Sequence, residues 1–258
     1  MTQPGDAPGT DRNDDFPRPV PDGTPPTDPG ARIADYLRAA GLQSLHGREQ
    51  QVQLAIHDLM EAMGEKVEID DPASLYSFPV PLLTEDGSCS IVDEMAPVPY
   101  DLAAVLGGRS EQTTRRLALL ERLVERVQET TASDWVGIYQ RRVSARGEPR
   151  LVKVSYVGRP SRAEFPLTQA FAERSTNSTV GLTGRATVID DVAKHVEAGG
   201  GFYVCDEGIQ SEACMPILDE SRRVVGIVDV EAKPRGFFGA ERLAIIAALA
   251  IVAPAVLP

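Results

Sequence analysis

The stretch from Tyr203 to Glu231 constrains the fold most. Two apolar, strand-like segments within it, residues 213–218 and 224–232, are separated by a short polar run at 219–222. Cys205 and the carboxylates Glu212, Asp229 and Glu231 lie in or near these apolar segments. Such groups are costly in a hydrophobic core and useful in a binding site. The sequence therefore predicts two neighbouring strands that carry a site.

Strand geometry indicates which of these groups face the same way. Alternate side chains of a strand point to opposite faces, so Asp229 and Glu231 share a face with Ile227 and Val225. The same rule places Cys214 on the face of Glu212. Two carboxylates on one face repel each other unless that side is wet or holds a cationic ligand. From spacing alone, an edge strand facing solvent is an equal alternative.

Charge excludes several classes of partner. The 258-residue chain has a formal net charge of −12 and a pI near 4.8. Sequence-independent binding of nucleic acid and attraction to anionic lipid both need a basic surface, so neither partner is expected. The first residues show no basic start followed by an apolar run, and we expect a cytoplasmic protein.

The cysteines and histidines give no pattern typical of a metal site. Three cysteines, Cys89, Cys205 and Cys214, are an odd number, which favours free thiols over a disulfide framework. Their spacings match no paired zinc motif, and the three histidines are scattered. We therefore predict no metal.

Composition divides the chain into three parts. Residues 1–30 are rich in Pro, Gly and Asp and are predicted to be a disordered tail. Residues 31–108 form a helical N-terminal extension, with amphipathic helices over 31–40 and 52–63, and an irregular connector from residue 66. Residues 109–258 form the main domain.

The main domain has alternating helix and strand patterns. A helix capped by Ser110 runs to about Glu129, and residues 135–140 and 151–157 form an antiparallel hairpin. The polar run 175–179 is predicted to end a short helix that begins at Gln169. A last apolar helix over 239–252 is too short for a bilayer and suits a helical layer or a dimer interface. The apolar faces of the first and last of these helices make a homodimer a reasonable expectation.

Several motifs resemble one family. The chain resembles the free methionine-(R)-sulfoxide reductases, built on a single GAF domain, from about Leu117 to Val252. The resemblance lies in Tyr203-Val204-Cys205-Asp206, Gln210-Ser211-Glu212, Gly226-Ile227-Val228-Asp229-Val230-Glu231, Ser133-Asp134-Trp135-Val136-Gly137-Ile138-Tyr139 and Asp191-Val192. It implies an α+β fold of the GAF-like (PAS-like) type, an antiparallel sheet flanked by helices with a ligand pocket on one face.

The resemblance also implies roles for individual residues. Cys205 matches a cysteine that takes part in thiol chemistry on the sulfoxide, and Glu212 and Asp229 match catalytic acids of the pocket. Glu231, Trp135 and Tyr139 match residues that bind and enclose the substrate. These roles suit the chemistry, because a thiolate attacks sulfur, an acid protonates the departing oxygen and carboxylates hold an ammonium group.

One part of the family pattern is missing. The family carries a further reactive cysteine, usually in Cys-Gly, where this chain reads Asn177-Ser178-Thr179-Val180-Gly181-Leu182-Thr183-Gly184. Cys214 is a candidate substitute resolving thiol, although a buried strand cysteine is more often an inert small hydrophobe. Cys89 is another candidate, with nothing in the sequence to indicate its location.

Two functions follow. The first is a thiol oxidoreductase that reduces free methionine-(R)-sulfoxide or a similar small sulfoxide through Cys205, with no cofactor and with an external thiol reductant such as thioredoxin. The second is a non-catalytic GAF module that binds a small ligand or senses redox state. In both cases the expected partner is a small molecule.

Overall fold

The computed structural model describes residues 28–66, 69–84, 87, 89 and 94–258. Residues 1–27 of the predicted tail lie outside this part of the chain. The first helix, α1 (Pro29–Ala40), begins just before the predicted start, because the Asp28 carboxylate accepts a hydrogen bond from the Ala31 amide at 2.8 Å and caps the helix. The second helix is α2 (Glu49–Gly64). Both predicted N-terminal helices are confirmed.

The connector is largely irregular, as expected, but it contains short regular elements. These are a two-stranded pair, β1 (Ser77–Phe78) with β2 (Tyr100–Asp101), and a short helix, α3 (Leu102–Leu106). The sequence pattern predicts no helix here. The Asp101 side chain accepts a hydrogen bond from the Ala104 amide at 3.1 Å and starts this helix.

The main domain alternates helices and strands. Its elements, in chain order, are α4 (Glu111–Thr131), β3 (Trp135–Val143), β4 (Pro149–Val157), β5 (Glu164–Pro166), α5 (Gln169–Ala172), α6 (Thr176–Thr183), β6 (Thr187–Ile189), α7 (Val192–Glu197), β7 (Ser211–Leu218), β8 (Val224–Ala232) and α8 (Ala240–Val252). The Ser110 cap, the hairpin and the strands at 213–218 and 224–232 are confirmed.

The main sheet has six strands in the order β5-β4-β3-β8-β7-β6, and every neighbouring pair is antiparallel. This arrangement confirms the predicted α+β fold with an antiparallel sheet and flanking helices. Strands β8 and β7 are the fourth and fifth of the six, and Glu212 and Asp229 on them are buried. The solvent-facing edge strand considered above is therefore wrong.

The two faces of the sheet carry different layers. One face packs against α1, α4 and α8, and α2 packs on these helices, so that all four share one large apolar core. The opposite face holds a smaller aromatic cluster together with Cys89, Cys205 and Cys214. The N-terminal helices lie on the first face, where the Tyr36 hydroxyl donates to the Pro216 carbonyl at 2.9 Å. They are therefore remote from the carboxylates and cover the helical layer.

Two local expectations need correction. The polar run 175–179 does not end a helix: the Ser175 side chain accepts a hydrogen bond from the Ser178 amide at 3.3 Å and begins α6. Val225 packs with the large apolar core and not with Asp229, because the pairing of β7 with β8 shifts register at Ile217/Leu218.

The apolar surfaces of α4 and α8, which motivated a homodimer, are covered by α2 within the chain. They therefore give no argument for a dimer, and the oligomeric state stays a prediction. Helix α8 forms part of the helical layer, which is one of the two roles expected for it. Across the described residues, no helix is both long and apolar enough to traverse a bilayer.

Candidate functional site

Three carboxylates meet at the centre of the sheet. Strand pairing places Glu212 opposite Glu231 and Cys214 opposite Asp229. Carboxylate oxygens of Glu212, Asp229 and Glu231 all lie within 4.8 Å of one another. Glu212 and Asp229 are 2% and 3% exposed, whereas Glu231 is only partly buried. The cluster therefore has two inner members and one member that reaches outwards.

Burial makes this cluster reluctant to ionise. Desolvation raises the pKa of Glu212 and of Glu231 well above the usual range, and the charge of Asp229 raises both further. Burial also raises the pKa of Asp229 to about 6, with hydrogen bonds to Asn177 and Glu212 opposing the rise. The cluster therefore retains protons near neutral pH and is a proton donor in a desolvated setting.

Asn177 is a site residue that the sequence did not reveal. Its side-chain amide donates to Asp229 Oδ2 at 2.7 Å, and both residues are buried. One oxygen each of Glu212 and Asp229 is buried without a hydrogen-bond partner. Such unsatisfied oxygens are costly, and a cationic group that entered the cluster would satisfy them. Either an ammonium group or a metal ion has the required charge.

A cavity of about 240 Å³ joins the cluster to the surface. Its walls include Cys205, Glu231 and Trp135, together with the basic side chains of Arg159 and Lys233. This volume is below the roughly 300–1,000 Å³ of sites for drug-sized ligands. The cavity therefore suits a ligand about as large as a free amino acid.

The loop that roofs this cavity, residues 159–162, is held by three side chains from the sheet. Trp135 Nε1 donates to the Arg159 carbonyl at 3.0 Å, and the Tyr139 hydroxyl donates to the Arg162 carbonyl at 3.0 Å. Lys153 Nζ donates to the Ser161 carbonyl at 2.8 Å and to its hydroxyl at 2.9 Å. Trp135 lines the cavity, whereas Tyr139 is 1% exposed and supports the loop from beneath.

Lys153 is a second residue that the sequence did not reveal. Its side chain is fully buried and its ammonium nitrogen lies 3.9 Å from the centre of the Tyr156 ring. Burial lowers the pKa of Lys153 to about 7, and the nearby cysteines and Glu231 oppose this change. The site thus contains a basic group whose protonation changes near neutral pH.

The sulfur of Cys205 is in contact with the sulfur of Cys89. The two Sγ atoms are 2.6 Å apart and form a hydrogen bond in which either thiol can donate. Cys89 is buried and Cys205 is partly buried. The connector therefore reaches the pocket face and places a thiol beside the cysteine of the family motif.

Cys214 has a different setting. It lies on β7 opposite Asp229 and is fully buried. Burial raises the pKa of its thiol well above the usual range, and the neighbouring carboxylates raise it further. A thiol that keeps its proton is a weak nucleophile. Its role as a substitute resolving thiol stays a prediction.

The structure thus brings together the residues expected to form a site. Cys205, Glu231 and Trp135 line one cavity, and Glu212, Asp229 and Tyr139 lie directly behind it. The chemistry available there is thiolate attack, proton donation from a buried acid and binding of a cationic group.

The comparisons with known proteins concern the main domain. No curated protein matches the chain. A solved structure of a type II free methionine-R-sulfoxide reductase from Thermoplasma acidophilum is 18% identical, covers 57% of this chain and 94% of its own, and has a TM-score of 0.48. The enzyme from Neisseria meningitidis, in complex with its substrate, is 20% identical over 57% of this chain and 80% of its own, with a TM-score of 0.43.

Other similar structures are not described as enzymes of this kind. The GAF domain of an Acinetobacter phosphoenolpyruvate-protein phosphotransferase is 16% identical over 60% of this chain and 86% of its own, with a TM-score of 0.44. These likenesses are too distant to assign an activity. The sequence pattern of the GAF domain family matches residues 115–254, more than half of the chain. The chain belongs to the GAF domain family.

Proposed function

We propose that the chain is a thiol oxidoreductase that reduces free L-methionine-(R)-sulfoxide, or a similar small sulfoxide, through Cys205. One observation carries this proposal: Cys205, Glu231 and Trp135 line the same cavity of about 240 Å³. A nucleophile, an acid and an aromatic wall are what a small sulfoxide needs around its reacting sulfur. The motif resemblance from Tyr203 to Glu231 supports the same reaction.

The charges around the cavity suit the two ends of an amino acid. The carboxyl cluster of Glu231, Glu212 and Asp229 provides negative charge for the ammonium group once Asp229 ionises, above about pH 6. Arg159 and Lys233 line the same cavity and provide positive charge for the carboxylate.

These two cations form ion pairs that a ligand can compete with. Arg159 Nη1 lies 3.6 Å from Asp206 Oδ1, and Lys233 Nζ lies 3.7 Å from Asp134 Oδ1. Because the two cationic side chains are 42% and 59% exposed, exchanging these partners for a ligand carboxylate costs little.

The reaction requires one proton and transfers one oxygen atom. Cys205 gives up its thiol proton and its Sγ attacks the sulfoxide sulfur, forming an S–S bond while the sulfoxide oxygen is protonated. The hydroxyl then moves to Cys205 Sγ as the S–O and S–S bonds break, and the products are the thioether and Cys205 sulfenic acid. Cys205 is oxidised by two electrons and the substrate sulfur is reduced by two. Glu231 reaches the cavity, so the proton passes through it from the inner acids Glu212 and Asp229, which remain protonated to higher pH than ordinary carboxyls.

The test uses the whole chain with dithiothreitol and the separate (R) and (S) forms of free methionine sulfoxide. We expect turnover of the (R) form, at least about 100-fold less turnover for Cys205→Ser, and a KM raised by about tenfold or more for Glu231→Gln, which keeps the shape and replaces the carboxyl group with an amide. N-acetylmethionine sulfoxide, which lacks the ammonium group, should be a poor substrate. Activity that survives Cys205→Ser would rule out the nucleophile.

The cluster also predicts a pH dependence of binding. An ammonium ligand binds the ionised carboxylates, so the KM should fall as pH rises from 5 to 7, through the Asp229 pKa of about 6. Asn177→Ala removes the hydrogen bond that opposes protonation of Asp229 and should move this transition to higher pH. A KM that is constant over this range would contradict ammonium binding by the cluster.

A second candidate function has its own observation. Two thiols in contact can respond to an oxidant without any substrate, and the family's further cysteine is replaced by the run that begins α6. A GAF module that binds a small ligand or senses redox state through Cys205 would have these features. A thermal shift with methionine, without turnover of any sulfoxide, would favour this function.

A further inference from the structure

We propose that Cys89, which lies outside the matched GAF region, is the resolving thiol of Cys205, and that the two alternate between dithiol and disulfide in each turnover. The turnover in this statement rests on the proposed function. The pairing itself rests on the geometry of the two cysteines. Neither the motif pattern nor the match to residues 115–254 includes Cys89.

The first argument is the contact between the two sulfurs. Cys89 Sγ lies 2.6 Å from Cys205 Sγ, although the residues are 116 positions apart in sequence. A disulfide needs two cysteines whose side chains point at each other and whose sulfurs can approach closely. The pair joins Cys205, a thiol of the cavity wall, to Cys89, a buried thiol in contact with it.

The second argument is that hydrogen bonds to Gly87, two residues before Cys89, hold this part of the chain in place. The Gly87 carbonyl accepts hydrogen bonds from the Tyr203 hydroxyl, at 2.6 Å, and from Arg162. Gly87 adopts a φ of +77°, a conformation that favours glycine. Tyr203 is two residues from Cys205, so the same segment that carries Cys205 fixes the chain next to Cys89.

The third argument concerns charge. The hydrogen bond from Cys205 lowers the pKa of Cys89 to about 7, and the Tyr203 hydroxyl and the Arg162 guanidinium act in the same direction. The same hydrogen bond, followed by burial, raises the pKa of Cys205 well above its usual range. Near neutral pH Cys89 therefore ionises before Cys205 and supplies the thiolate, the form that attacks sulfur.

These features support a balanced second step. After oxygen transfer has made Cys205 sulfenic acid, the Cys89 thiolate attacks Cys205 Sγ, the S–O bond breaks, and the hydroxide leaves as water after taking a proton. The products are a Cys89–Cys205 disulfide and water. An external dithiol then supplies two electrons and two protons and restores both thiols.

The experiment follows thiols in the full chain after the reductant is removed. Four proteins are compared: the natural sequence, Cys89→Ser, Cys205→Ser and the control Cys214→Ala. Each is treated separately with free methionine-(R)-sulfoxide and with diamide, a reagent that oxidises neighbouring dithiols without sulfoxide chemistry. Free thiols are counted in denaturant, and the linked peptides are identified by mass spectrometry.

The expected result is a fall from three free thiols to one in the natural sequence, with peptides containing Cys89 and Cys205 joined. Cys214→Ala should form the same link. Cys89→Ser should give no link, and with thioredoxin as reductant it should lose activity by about tenfold or more, while dithiothreitol, which reduces a sulfenic acid directly, restores much of it.

The outcomes separate this inference from the proposed function. A link formed with diamide but not with the sulfoxide would retain the pair and reject the reductase. A link between Cys205 and Cys214, no link with either reagent, or full activity of Cys89→Ser with thioredoxin would each overturn the assignment of Cys89.

Discussion

The two faces of the central sheet bury their side chains in opposite ways. The face covered by α1, α2, α4 and α8 is apolar throughout its core. The other face buries Glu212, Asp229 and Lys153 beside aromatic rings and thiols. Both faces are formed by the same strands, β3, β4, β7 and β8. Adjacent residues of one strand therefore lie either in the apolar core or beside the buried polar groups.

This difference indicates which face stabilises the fold and which face provides the reactive groups. Apolar burial stabilises the fold in proportion to the area removed from water, whereas buried ionisable groups oppose folding until a ligand or a proton satisfies them. Changes on the helical face should therefore destabilise the protein, and several changes on the pocket face should stabilise it while they remove function. Four predictions, ordered by expected effect, test this contrast.

The largest effect on stability should come from Leu249→Ala in α8. Leu249 is fully buried on the helical face, and its truncation should lower the free energy of unfolding by about 2–5 kcal/mol. Leu54→Ala, on α2, is the matched control, because Leu54 is 63% exposed and should change the stability by less than about 0.5 kcal/mol. Urea unfolding measures both. Equal effects of the two changes would contradict the burial of α8.

Asp229→Asn should raise the stability of the protein, which is the opposite of the effect expected for Leu249→Ala. Burial raises the folded pKa of Asp229 to about 6 from the usual value of 3.8, so its favourable contribution is present below pH 4 and lost as pH rises through 6. The variant should therefore be more stable than the natural protein by up to about 3 kcal/mol at pH 8 and nearly equal at pH 4. Its reductase activity should be lost. A variant less stable at pH 8 would show that Asp229 supports the fold.

Lys153→Met tests the buried amine on the same face. Because its folded pKa is about 7 and its usual value is 10.5, the natural protein should gain stability as pH rises from 7 to 10.5. The variant should lack this gain and should be about 1–3 kcal/mol more stable at pH 7, after about 1 kcal/mol is subtracted for each lost hydrogen bond to Ser161. Unfolding measured at pH 7, 8.5 and 10 gives the slope. Identical slopes for the two proteins would refute the assignment.

The smallest effect should come from the ion pair that links α2 to α4. Arg126 Nε donates to Asp58 Oδ2 at 2.9 Å, and the two side chains are 44% and 37% exposed. Because exposed pairs contribute little, Arg126→Met should lower stability by less than about 1 kcal/mol, and the loss should shrink in high salt. The double variant with Asp58→Asn isolates the pair. A loss as large as that of Leu249→Ala would mean that the helical layer depends on surface charge.

Sequence reasoning was most successful where a pattern repeats. The strands at β7 and β8, the hairpin of β3 and β4, and the cap at Ser110 were all predicted, because alternation and capping are local signals. The choice between the two faces of a strand was also correct for Asp229 and Glu231. It was wrong for Val225, because a register shift moves a residue to the other face of the strand, and the alternation of side chains in the sequence does not show where such a shift occurs.

The remaining site residues depend on long-range packing. Asn177 and Cys89 reach the pocket from a short helix and an irregular connector, and neither segment has a periodicity that would indicate its direction. Lys153 lies on β4, and because lysine is usually exposed, its burial could not be predicted from its residue type. Only the three-dimensional arrangement shows that these three side chains converge on the residues of the motif.

The hydrogen bonds to the Gly87 carbonyl have a consequence for how this protein is divided. They tie a segment that precedes the GAF region to Tyr203 and Arg162 inside it, while α2 covers the apolar surface of α8. A fragment confined to residues 115–254 would contain the whole family pattern and would still lack Cys89 and the cover of α8. The region that matches the family is thus smaller than the region that folds together. On our proposal it also lacks one of the two thiols that react.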